Sequence, residues 1–124
     1  MRNENGENII LSKTYCFAIR IVRLYQYLVD AKKEFVLSKQ LLRSGTAIGA
    51  IMKESEHAQS KADFLNKTNQ ALKEANETEY WLQLLCDTNY INQQEYDSIM
   101  PECDEITSIL VSIVKTTKNN LNKN

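Results

Sequence analysis

The sequence predicts an all-α protein, an antiparallel up-down-up-down four-helix bundle. Three observations carry that expectation. The 124 residues include one proline and three glycines, so helix breakers are scarce. Apolar residues, 43% of the chain, recur at spacings of three and four rather than alternating. The periodic segments are joined by short links, which force consecutive helices to run antiparallel. A chain of this length makes one domain, residues 1–124, with an ordered core over about 11–118 and flexible ends. It is small enough that burial between copies would add to its stability.

The first helix is expected over about Leu11–Lys32, where Phe17, Ile21, Leu24 and Leu28 recur on one face. Arg20, Arg23 and Asp30 fall on the other side. Lys33 to Val36 must reverse the chain. The second helix is expected over about Leu37–Ala58, with Leu37, Leu41, Ile48, Ile51 and Met52 as its apolar face. Ser60 and Asp63 form a capping-box-like start for a third helix reaching about Asp87. Its residues Phe64, Thr68, Ala71, Ala75, Thr78, Leu82 and Leu85 alternate four and three, a bundle seam of period about 3.5. Asn92 and Glu95 resemble a second capping box. The fourth helix then carries Ile99, Cys103, Ile106, Leu110 and Ile113, with Pro101 expected to kink it or split off its start. The tail TTKNNLNKN is expected to fray.

The second helix contains a belt of small residues, Ser44, Gly45, Thr46, Ala47, Gly49 and Ala50. Glycine inside a helix costs about 1 kcal/mol against alanine. Two glycines four residues apart share one face, so another backbone is expected to come close there. Gly45, Ala47, Gly49 and Ala50 are therefore the candidate helix-packing and assembly residues.

Net charge is −1, which supplies no bulk attraction to polyanions. The charge is unevenly placed. Residues 1–73 hold 12 basic and 7 acidic side chains, whereas residues 74–124 hold 3 and 9. Between Glu74 and Glu105 there is no Lys or Arg. Residues 10–43 carry 7 basic and 2 acidic side chains, and Arg20, Arg23, Lys32, Lys33, Lys39 and Arg43 are the candidate nucleic-acid contacts. An ordinary lysine-rich loop is the competing reading, because no aromatic base-stacking motif accompanies the charges. Six tyrosines, Tyr15, Tyr25, Tyr27, Tyr80, Tyr90 and Tyr96, fit either interface residues or half-buried rim residues.

Little in the chain points to chemistry. Cys16, Cys86 and Cys103 are scattered, no C-x-x-C occurs, and all three are expected to be buried free thiols in a reducing cytoplasm. MRNENGEN is too polar, and Ile9-Ile10-Leu11 too short, for a signal peptide or a membrane span. Glu54 and His57 stand in Glu-x-x-His spacing, but a di-iron site needs a second copy and inward carboxylates. The chain has a single histidine. No metal, cofactor or nucleophile–base pair is expected, and neither is a phosphate loop.

KEFVLSKQLLRSGTAIGAIMKESEHAQSKADF, followed by ALKEANETEYWLQLL, resembles a bacterial four-helix-bundle family. That family was first noticed as reading frames in intervening sequences of large-subunit ribosomal RNA genes. The likeness runs from about Phe17 through Lys118. Gln40-Leu41-Leu42-Arg43-Ser44, Ile48-Gly49-Ala50, Glu54 and Lys73-Glu74-Ala75 fall in order at the family's spacing. The resemblance implies a homopentameric ring. A related branch, the accessory variability determinant of diversity-generating retroelements, is implied to bind nucleic acid and a reverse transcriptase through a basic surface. Where the family pattern has Ser-Ile-Gly-Ala-Asn-Ile, this chain has Ala47 and Ile51 in place of the serine and asparagine, which implies a drier helix contact.

The expectation is a non-enzymatic, cytoplasmic, oligomeric scaffold that binds RNA or a ribonucleoprotein through its basic surface. The alternative is a protein–protein interaction module without nucleic-acid binding.

Overall fold

The computed structural model describes residues 8–122. Four helices, α1 (Ile9–Asp30), α2 (Leu37–Ser55), α3 (Lys61–Asp87) and α4 (Gln93–Asn122), run alternately up and down. Each packs along its sequence neighbours, while the diagonal pairs stay apart. The closing seam, α1 against α4, is the most lightly packed of the four.

α1 starts two residues before the expected Leu11, because Asn8 caps it by accepting from the Ile10 amide at 3.1 Å. It stops at Asp30 rather than Lys32. Lys33 turns into the left-handed region (φ 54°), and the Glu34 amide donates back to the Leu28 carbonyl at 3.0 Å. α2 ends at Ser55, short of the expected Ala58. There the Glu56, His57 and Ala58 amides shift to carbonyls three residues back, at 3.3, 3.0 and 3.1 Å.

α3 begins as expected. The Asp63 amide donates to Ser60 Oγ at 3.0 Å, and Asp63 accepts from the Gln59 amide at 3.2 Å. It ends in a Schellman turn, with Tyr90 donating to Leu85 at 2.9 Å, Asn89 donating to Cys86 at 3.0 Å, and Asn89 left-handed (φ 70°). The reciprocal box at α4 is complete, with both Asn92–Glu95 bonds at 2.8 Å. Pro101 does not split α4. It and Asp97 are exposed, so the carbonyl that loses its amide partner can turn to water. The tail is helical through Asn122, with Thr117 buried and bonded to the Ile113 carbonyl at 2.7 Å. The expected N-terminal flexibility falls on residues 1–7, outside those described.

The core contains Phe17, Ile21 and Leu28 from α1, Leu41, Ile48 and Met52 from α2, and the α3 seam from Ala71 to Leu85. Phe64 is only half buried at the seam's start. On α4 the buried series runs Ile99, Cys103, Ile106, Leu110 and then Val114 instead of Ile113. A straight helix of 3.6 residues per turn drifts off a 3.5 repeat, so the inward position moves on by one residue. Ala71 and Ala75 allow α4 to approach closely, and Cys103 Sγ lies 3.7 Å from the Ala75 carbonyl.

Candidate functional site

The glycine belt acts inside the protomer. A Cβ on Gly45 would lie 2.8 Å from both Cγ atoms of buried Ile21, and one on Gly49 would lie 3.2 Å from Thr14 Oγ1. Both glycines therefore admit α1. Ala47 is half buried and Ala50 is exposed, so Ala50 takes no part in that packing. On the α3 side, Ser44 and Thr78 share a buried hydrogen bond at 3.0 Å. Ile51 packs against the core, where the family pattern has asparagine.

Outside this contact lies an apolar face. Tyr15, Ile19 and Val22 stand at i, i+4 and i+7 on α1 and are 69%, 40% and 37% exposed. Beside them an open groove of about 660 Å³ runs between α1 and α2, lined by Leu11, Thr14, Tyr15, Ala18, Gly49 and Ala50. At the α1–α2 corner Phe35 and Val36 are 51% and 70% exposed. The α1 face expected from spacing, with Phe17, Ile21 and Leu28, is the one the bundle buries, and Tyr15, Ile19 and Val22 are left outside it.

The six candidate nucleic-acid residues divide into two sets. Arg20 is engaged with α4, donating to the Ser98 carbonyl and hydroxyl at 3.0 and 2.9 Å and pairing with Glu102 at 3.1 Å. Arg43 lies 3.9 Å from Glu74 and 3.8 Å from Glu77 on α3. Lys13, on the same side of α1 as Arg20, pairs with Glu105. Arg23, Lys32, Lys33 and Lys39 are exposed and have no ion pair among the described residues. The uneven charge of the sequence is thus partly neutralised across α1–α4 and α2–α3.

Glu34 is a structural acid that the sequence did not disclose. It is 8% exposed, and its Oε1 accepts from the Val36 and Ser38 amides at 3.0 and 2.7 Å. Ser38 Oγ donates to the Glu34 carbonyl at 2.8 Å. Burial pushes this carboxyl's pKa up, but the Ser38, Leu37 and Val36 amides outweigh it and the net shift is downward. Glu34 therefore occupies the α2 N-terminus with a carboxylate, two residues upstream of the N-cap position where sequence rules look for one.

Glu74 is shifted the other way, by burial first and then by Glu77, against the opposing pull of Arg43 and Lys73. Its Oε1 is buried without a hydrogen-bond partner.

Cys103 is buried, and burial lifts its thiol to about 12, so it stays protonated. Cys86 is half buried and Cys16 is exposed, against the expectation that all three thiols would be inside. Cys16 faces outward because α1 is covered on only part of its circumference. His57 is exposed, and Glu54 pairs with Lys67 at 3.7 Å. Among the described residues no group of three or more His, Cys, Asp or Glu side chains is placed to hold a metal ion. A hollow of about 460 Å³ at the far end includes Ser55 and Thr117, whose hydroxyls already donate to the Met52 and Ile113 carbonyls at 2.6 and 2.7 Å. Among the described residues no helix is long and apolar enough to cross a membrane.

The family model for 23S rRNA-intervening sequence proteins matches residues 6–112. This chain belongs to that family. One crystal structure is of a protein of unknown function from the S23 ribosomal protein family of Bacteroides thetaiotaomicron VPI-5482. It is 58% identical, covers 86% of this chain and 98% of its own, and superposes with a TM-score of 0.84. No curated protein matches this chain. Neither the family description nor that neighbour names a reaction.

Proposed function

We propose that this family member is a non-enzymatic scaffold that assembles from copies of itself and presents its α1–α2 corner to RNA or a ribonucleoprotein. The observation that supports assembly is the exposed Tyr15–Ile19–Val22 stripe with the adjoining groove. Small monomers rarely leave a contiguous apolar face of this kind in water. A homopentamer is the assembly that the sequence resemblance favours. The RNA half of the proposal draws on Arg23, Lys32, Lys33 and Lys39, which have no ion pair among the described residues, and it leaves Arg20 and Arg43 to bundle stability.

The test is a double variant, Ile19→Glu with Val22→Glu, followed by sedimentation velocity. The wild type is expected to sediment as an oligomer and the variant as a folded monomer with unchanged helical circular dichroism. A variant that kept the wild-type sedimentation coefficient would reject this face as the assembly surface. If the wild type is monomeric and is retained by a protein partner but not by RNA, the interaction-module reading replaces this one.

A further inference from the structure

The α1–α2 corner joins two features that the sequence presented separately. Phe35 is half exposed on the turn that precedes α2, and Lys32, Lys33 and Lys39 lie within four residues of it in the chain. Those lysines are exposed and form no ion pair among the described residues. The two acids of the segment differ in availability. Glu34 is turned inward onto the α2 amides, whereas Asp30 is exposed and subtracts one charge. Lys32 Nζ already lies 5.9 Å from the Tyr27 ring centroid, so one aromatic face is taken by a cation.

An exposed ring among unneutralised cations fits a single strand, in which bases are free to stack and phosphates follow the charges. A duplex keeps its bases stacked inside and offers nothing to a protruding phenyl ring. We infer that the corner is a binding surface for single-stranded RNA, with Phe35 as a stacking platform and Lys32, Lys33 and Lys39 as phosphate contacts. This rests on the RNA reading above and specifies its ligand and its central residue. The turn is well supported for the purpose, because Glu34 fixes the backbone on both sides of Phe35 through its own buried bonds.

The experiment titrates the full chain with a fluorescein-labelled oligouridylate and with a duplex of equal length, at several salt concentrations, by anisotropy. The single strand is expected to bind more tightly than the duplex. Phe35→Leu keeps the apolar bulk but loses the ring, and it is expected to weaken single-strand binding by roughly 5- to 150-fold. Phe35→Trp is expected to retain binding, and its added indole fluorescence should be quenched by the oligonucleotide. Lys32→Gln with Lys33→Gln should lower the salt slope by about 1.4, at ~0.7 per phosphate contact. Equal binding by wild type and Phe35→Leu, with the lysine variant still weakened, would overturn the stacking role and leave the RNA reading standing. Absence of any salt-dependent binding to either RNA would overturn both. Loss of oligomer mass in Phe35→Leu without a change in RNA affinity would assign Phe35 to a contact between protein copies instead.

Discussion

Gly45 and Gly49 look alike in the chain and differ in the structure. A methyl group at Gly45 meets the branched carbons of Ile21, which is fully buried and cannot move aside, at 2.8 Å. At Gly49 it meets Thr14 at 3.2–3.4 Å, a contact that a few tenths of an ångström relieves. Gly45→Ala is therefore expected to cost about 1–3 kcal/mol through overpacking. Gly49→Ala, helped by helix propensity, is expected to stay within about 1 kcal/mol of wild type. Urea denaturation of the two variants checks the contrast, and equal losses would mean that the α1–α2 approach is not as drawn. Spacing revealed that a close approach exists. It could not reveal its partner, because Ile21 and Thr14 lie on another helix.

Glu34 allows a pH prediction at the same scale. Its folded pKa is lowered, so its stabilisation is complete above the unfolded value of about 4.3 and is lost as pH falls through the folded value. Glu34→Gln should cost ~1–2 kcal/mol at pH 7. The difference in Tm from wild type should shrink when the pH is lowered from 7 to below the unfolded value and on through the folded one. Glu74 has the opposite sign. Its raised folded pKa makes the ionised form unfavourable as pH rises above the unfolded value, so Glu74→Gln should be neutral or stabilising at pH 7. Thermal melts at the two pH values separate these outcomes.

At the level of elements, the starts of α3 and α4 were legible because their caps are written locally. The Asn92–Glu95 box and the Ser60 cap formed as spacing predicts. What spacing did not give were features set by single side chains and by the drift of a straight helix off a 3.5 repeat. Examples are the cap from Glu34, the drift from Ile113 to Val114, and the helical tail held by Thr117. The α3 end depends on Asn89 in the left-handed region, where asparagine is tolerated and alanine is strained. Asn89→Gly should hold or raise Tm, while Asn89→Ala should destabilise by roughly 1 kcal/mol. Equal effects would argue against the Schellman turn.

On the scale of the whole molecule, the sequence separates basic and acidic segments, and folding brings part of each together. Lys13, Arg20 and Arg43 meet Glu105, Glu102, and Glu74 with Glu77, from residues at least 31 positions away in sequence. The exposed Lys13–Glu105 and Arg20–Glu102 pairs contribute ~0–1 kcal/mol each, so they tune the lightly packed α1–α4 seam more than they hold it. Two candidate nucleic-acid residues are thereby occupied in the bundle. That could not be foreseen, since nothing local in the chain links Arg20 to Ser98. At the α1–α2 corner Lys32, Lys33 and Lys39 form no ion pair among the described residues, and on α1 Tyr15, Ile19 and Val22 are not covered by the four helices.

That uncovered face makes native mass the central quantity. Multi-angle light scattering on the full chain at micromolar concentration measures it directly. Self-assembly predicts a mass several times the 14.3 kDa protomer, about 72 kDa for the pentamer that the resemblance implies. A single species of 14.3 kDa at every concentration would contradict the proposal that the Tyr15–Ile19–Val22 face joins copies of this chain.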